Sequence, residues 1–146
     1  MTDTAMIERI TTSFNRQSAM TTIGATLARV ESGRIVIRLP KQPHILQQHG
    51  FVHGGVIGMI ADSACGYAAL TMMPADKAVL TGEYKINFLA PAEGEWFEAE
   101  GRVLRAGKRV HVAIGDVFAC TAQSRKAIAV MLTTMMVVDK APGMVD

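Results

Sequence analysis

Aromatic residues are scarce, only 5% of the 146-residue chain, so neither a stacking platform for nucleobases nor a core built on large rings is available. Charge is also modest. Lys, Arg, Asp and Glu together make up 19% and leave a formal balance of +2, too small to argue a nucleic-acid partner. The two cysteines, Cys65 and Cys120, stand in no C-x-x-C pattern, which suits a reducing compartment better than a disulfide scaffold. The opening MTDTAMIERITTSFNRQ mixes acids, bases and hydroxyls without a signal-type apolar region, and a cytoplasmic location is expected. What the chain has in quantity is aliphatic and small residues, 49% hydrophobic overall, enough for one globular core.

The longest apolar run, Val56 to Met73, approaches the length of a membrane span, but Asp62 at its centre and its abundant Gly, Ala and Ser predict a helix buried in protein. Around it the pattern is of strands. A short amphipathic helix is expected over Met6 to Phe14. ATLARVESGRIVIRLP then reads as a hairpin turning at Ser32-Gly33 and closed by Pro40. Four further strand-like segments follow: VLTGEYKINFLAP, EGEWFEAEGRVLR, RVHVAIGDVFACT and KAIAVMLTTMMVV. The turns between them, Pro91-Ala92-Glu93-Gly94, Ala106-Gly107-Lys108 and Gln123-Ser124-Arg125, are short enough to make consecutive strands antiparallel neighbours. The order β-β-α-β-β-β-β predicts an α+β fold whose antiparallel sheet wraps one long helix. No repeat, linker or low-complexity tract divides it.

The chemistry gathers in HGFVHGGVIGMIADSACGYAAL, from His49 to Leu70. A helix opening at Gly54-Gly55 leaves its first N–H groups unpaired and its dipole positive, while glycine lets a ligand approach the backbone. An ordinary loop-to-helix joint would look the same. Asp62 lies about two turns further on, past the reach of a dipole partner. It serves either a buried ion pair with a strand arginine or chemistry at a carbonyl polarised by the Gly54 N–H.

With PHILQQHGFVHGG, the spacing from His53-Gly54-Gly55 to Asp62, and the strand TGEYKINFLAPA, the chain resembles the hotdog-fold acyl-CoA thioesterases of the phenylacetic-acid-degradation type. The resemblance implies one hotdog domain over residues 1–146, with an N-terminal segment at 1–20 and a core at 21–139. It also implies hydrolysis of acyl-CoA to free CoA and a carboxylic acid. Gly54 then matches the glycine whose N–H polarises the thioester oxygen, and Asp62 the aspartate that activates water or attacks the carbonyl itself. Thr81 matches an assisting hydroxyl and His53 a histidine that orients the site. Where relatives place an Asn six positions before that histidine, this chain has Gln47. Simple alternation sets Thr81 with Glu83, Lys85 and Asn87, opposite Leu80, Tyr84, Ile86 and Phe88, unless Gly82 marks a bulge.

Gly55 joins Gly54 in the substrate cradle. Arg102, Arg105, Lys108 and Arg109 cluster around one strand turn; on their own they read as a solvated tip, and with an acyl-CoA substrate Arg105, Lys108 and Arg109 would hold its phosphates. His44, His49 and His53 lack the partners of a metal site, so no metal or cofactor is expected. Cys65 reads as a small apolar helix residue rather than a nucleophile, and Ala64, Cys65, Ala68 and Ala69 as room for an acyl channel beside the helix.

Two competing functions remain open at this point: a hotdog hydratase or dehydratase, which would need a helix-associated His–Asp pair, and a non-catalytic acyl-CoA-binding domain, which would not need Asp62. The eight steps from Gly54 to Asp62 span about 12 Å of one helix axis, too far to serve one carbonyl. Each site is therefore expected to combine Gly54 of one protomer with Asp62 of its mate, in a homodimer or dimer of dimers, with no nucleic acid or membrane as partner.

Overall fold

The computed structural model describes residues 3–146. Helix α1 (Asp3–Arg16) buries Met6, Ile10 and Phe14, a stripe repeating every four residues that lays one face on the core. A second short helix that sequence patterning did not signal, α2 (Ser18–Ile23), stops at Gly24, whose φ of 76° closes the helix by returning its N–H to Thr21 and Met20. Strands β1 (Thr26–Glu31) and β2 (Arg34–Pro40) form the expected hairpin, turning through Gly33 at φ 73°.

The long apolar run becomes α3 (Gly54–Leu70), apolar on nearly every side because the sheet covers it broadly. Four strands complete the chain: β3 (Lys77–Phe88), β4 (Trp96–Ala106), β5 (Val110–Cys120) and β6 (Arg125–Asp139). All pairings are antiparallel, in a six-stranded sheet ordered β1-β2-β4-β5-β6-β3. This is the hotdog arrangement, one sheet curled about one helix, as the sequence predicts. Among the described residues no helix is long and apolar enough to cross a membrane.

One expected neighbour relation fails. β3 and β4 do not pair: β3 lies at the far edge against β6, and β4 lies between β2 and β5. The Pro91–Gly94 segment is therefore a crossover. It is tied down on the way by the N–H groups of Leu89 and Ala90, which donate to Ile128, and by the Ala92 carbonyl, which accepts from Val52. A short turn signal reports only that the chain bends; α3 has already carried it to the opposite edge, where β6 offers a partner.

The small residues of α3 also play a different part from the channel expected of them. Ala64, Cys65, Ala68 and Ala69 are fully buried. The helix sits so close to the sheet that a methyl group on Gly101 would lie 2.3 Å from the Ala64 carbonyl carbon, and one on Gly115 2.9 Å from the Cys65 sulfur. Smallness here permits contact between helix and sheet and leaves no channel on that face.

Candidate functional site

The opposite flank of α3 faces β3. Gly54 approaches Phe88, Gly58 approaches Tyr84, and Asp62 meets Thr81, each pair one turn along the helix from the last. Thr81 can join this row because the β3–β6 register slips between Thr81 and Glu83. The extra residue is Gly82, where a side chain would meet Met136 and the Thr134 carbonyl at 3.2–3.4 Å. The bulge corrects strict alternation: Thr81, opposite Met135, shares the helix-facing side with Tyr84, Ile86 and Phe88, while Leu80, opposite Met136, turns outward.

At the helix start, His53 is the N-cap: its Nδ1 accepts the Gly55 N–H at 2.8 Å. Its carbonyl accepts from Val56 and Ile57 at 2.9 and 3.2 Å. These bonds use the N–H groups around Gly54 and leave that of Gly54 without an acceptor among the described residues. Gly54 and Gln47 line one cavity of about 320 Å³, with Phe51 and Phe88. The Gln47 side-chain oxygen accepts the His49 N–H, which leaves its NH₂ group as the available donor.

Asp62 lines a different cavity, of about 340 Å³, between α3, β3 and α1. Thr81 Oγ1 donates to its Oδ1 at 2.8 Å, and it has no ion-pair partner among the described residues, so the buried salt bridge weighed for it is absent. Burial raises the Asp62 carboxyl above the ordinary aspartate range, against the lowering effect of the Thr81 hydroxyl. Cys65 is pushed up to about 12, first by burial and then by Asp62 and Asp116, which makes it inert as a nucleophile.

Arg105, Lys108 and Arg109 line a third concavity of about 450 Å³ with Val110 and Val112, while Arg102 stands outside it on β4. The Arg109 carbonyl accepts from Val137, which sets this basic turn beside the end of β6 that also carries the Thr81 and Leu80 pairings. No cluster of metal-ligating side chains occurs among the described residues.

Among the lining residues of the Asp62 cavity that the sequence did not mark are the polar side chains of Ser13, Gln17, Ser63, Tyr67 and Asp146. Ser13 and Tyr67 hydroxyls bond each other at 3.2 Å, and Ser63 donates to Gln17 at 3.4 Å. Ser63 and Tyr67 sit four apart in an otherwise apolar helix, a spacing that could have marked them.

Comparison with known proteins gives the family of this fold. A protein of Saccharolobus solfataricus named as an esterase is 42% identical over 83 residues, 57% of this chain and 59% of the relative, so the match spans less than two thirds of that protein's length. A 1,4-dihydroxy-2-naphthoyl-CoA hydrolase of Listeria monocytogenes is 30% identical over 91 residues, 62% of this chain and 74% of its own. The crystal structure of a thioesterase family protein from Silicibacter pomeroyi superposes with a TM-score of 0.90 at 39% identity, covering 92% of this chain and 99% of that one. The PaaI protein of the E. coli phenylacetic acid degradation operon shares the fold, with a TM-score of 0.84 at 18% identity over 95% of this chain and 97% of its own. The family model described as the thioesterase superfamily matches residues 49–123, more than half of the sequence, and the chain belongs to that superfamily.

Proposed function

We propose that the protein hydrolyses acyl-CoA thioesters. The observation that carries this reading is Asp62, a carboxylate raised by burial, open to a cavity and held by a hydroxyl without a cation. A structural acid would be paired with a cation; one that borders a cavity without a counter-charge is available to a substrate.

The Gly54 N–H donates to the thioester carbonyl oxygen, where negative charge develops as the carbon is attacked. The ionised Asp62 either takes the proton of the attacking water or bonds to the carbonyl carbon itself. In both routes the tetrahedral intermediate collapses by breaking the C–S bond, and the sulfur takes up a proton as free CoA. The first route yields the carboxylic acid directly, whereas the second leaves an acyl–Asp62 anhydride, whose C–O bond water then breaks to release the acid and restore the carboxylate. Thr81 holds the carboxylate in place, His53 fixes the helix start that presents Gly54, and Gln47 offers its NH₂ beside that donor. A hydratase would need a histidine with the carboxylate, and the Asp62 cavity is lined by none among the described residues.

Within one protomer the Gly54 and Asp62 cavities share no lining residue, which supports a site completed by a second copy. β3 supports the same arrangement: it is an open sheet edge along which Leu80, Tyr84, Phe88 and Leu89 are 48–59% exposed. The test is complementation. Gly54→Pro deletes the donor at a helix position where proline is tolerated, and Asp62→Asn deletes the carboxylate. Each homodimer is expected to be inactive towards acyl-CoA by thiol release, and a refolded equal mixture to regain about a quarter of the sites. Mixed dimers without activity would refute the shared site.

That Arg105, Lys108 and Arg109 line one concavity supports their receiving the CoA phosphates. Removing their charge is expected to raise KM for CoA esters about tenfold while pantetheine thioesters change little. Equal effects on both substrates would return them to the solvated surface.

A further inference from the structure

The Asp62 cavity has a second charged end. Besides Asp62 and Thr81 its lining includes Met144, Val145 and Asp146, residues that belong to no helix or strand and that Arg9 ties to the α3–β3 connection. They are nonetheless pinned. One Asp146 carboxylate oxygen lies 2.6 Å from both Arg9 Nε and Lys140 Nζ, and the Asp146 backbone oxygen accepts from Arg16 at 3.3 Å. The Arg9 and Asp146 side chains are only 10% and 12% exposed. Arg9 also donates to the carbonyls of Met73, Pro74 and Lys77, so one guanidinium joins α1, the α3–β3 connection and this segment.

Burying charge in this way gives little net stability but fixes one position for whatever it holds. What it holds is a wall. On the reading of Asp62 as the hydrolytic carboxylate, the thioester carbonyl sits at the Asp62–Thr81 end, and the phosphates of CoA require the basic turn outside this cavity. The acyl group is then the part that extends past Leu70 and Val79 towards residues 144–146. The Ser13 and Tyr67 hydroxyls on this path share one hydrogen bond, which uses one of their two protons. At about 340 Å³ the space lies at the small end for ligand cavities, about 300–1,000 Å³.

We propose that Met144–Asp146, latched by Arg9 and Lys140, is the specificity-determining wall that limits the acyl group to a compact size and excludes long fatty acyl chains. The inference rests on the thioesterase reading of Asp62. Two variants act in opposite directions. Asp146→Ala releases the segment, and both cations keep their carbonyl acceptors in Met73, Lys77 and Ala75. Val145→Trp adds bulk to the cavity lining from an exposed position that the core does not need.

Thiol release from acetyl-, hexanoyl- and decanoyl-CoA is the readout, with folding checked by circular dichroism. Asp146→Ala is expected to raise the decanoyl-to-acetyl ratio of kcat/KM about tenfold, and Val145→Trp to lower the hexanoyl-to-acetyl ratio about tenfold. If Asp146→Ala does not fold, Val145→Trp alone decides. An unchanged profile of chain length in a folded variant, with activity that still depends on Asp62, overturns the wall and leaves the thioesterase reading intact. No hydrolysis by the wild type, or hydrolysis that survives Asp62→Asn, overturns the thioesterase reading and this inference with it.

Discussion

Asp62 and Asp146 line the same cavity, yet the chain treats them in opposite ways. Burial would raise both. At Asp62 it prevails, because the only compensation is one hydroxyl. At Asp146 the hydrogen bonds and charges of Arg9 and Lys140 together outweigh it and hold the carboxyl below its usual range. The difference teaches how surroundings separate two acids of one cavity: a carboxylate that fastens the structure is surrounded by cations, and Asp62, in the role proposed for it, is given only enough to be aimed.

The strongest way to break that contrast is Asp62→Asn. It is expected to lower kcat by about three orders of magnitude or more while acyl-CoA still binds, measured by thiol release and by calorimetric titration. Its effect on stability should run the other way. Because the folded-state pKa of Asp62 is raised, ionising it opposes folding at neutral pH, and that penalty disappears as pH falls through the folded value. The neutral amide removes the penalty, so the melting temperature should stay level or rise. A large loss of stability with turnover retained would make Asp62 a structural acid like Asp146.

A smaller effect separates the partners. On the proposed mechanism activity requires the Asp62 carboxylate, so kcat/KM should fall as pH drops through a value above the ordinary aspartate range. Thr81→Val removes the hydrogen bond that lowers that value, and the acidic limb is expected to move to higher pH. A pH–rate profile with an unmoved limb would mean that Thr81 does not hold the reacting carboxylate.

The smallest expected change is at Asp146. Its folded pKa is depressed, so its contribution to stability is full above the unfolded aspartate value and is lost as pH falls through the folded one. Asp146→Asn should therefore cost about 1–3 kcal/mol in urea unfolding at neutral pH, and wild type and variant should converge in acid. A gap that stays constant across pH would show that the latch acts by packing alone.

The parts of the molecule that were legible in the sequence are those set by local periodicity. The alternation of RIVIRLP and RVHVAIGDVFACT marks strands, and the apolar run with His53-Gly54-Gly55 at its head marks α3. What could not be read depends on partners far along the chain. Pro91–Gly94 has a turn's composition whether the chain doubles back or crosses to another strand. Ala64 and Cys65 are small for reasons held by Gly101 and Gly115, roughly forty to fifty residues away. Only one part of the Asp146 latch is local, Lys140 six positions before it; its cation on α1 lies 137 positions away, and no spacing rule connects the two. Thr81 stands between these cases, since Gly82 signalled a bulge but only the register with β6 shows which way it turns the hydroxyl.

That bulge makes the site sensitive to register as well as to composition. Taking Gly82 into the ladder opposite Met135 would leave every side chain of β3 in the protein, yet the residues before it would exchange sides. Leu80 would be presented to Asp62, and Thr81 would face away from the helix. Deleting Gly82 would instead join Thr81 directly to Glu83, and Thr81 would stay opposite Met135 on the helix side without any bulge. Among relatives of this fold, an alignment that tracks residue identity in this strand but misplaces one gap would assign the hydroxyl to the wrong side of the sheet.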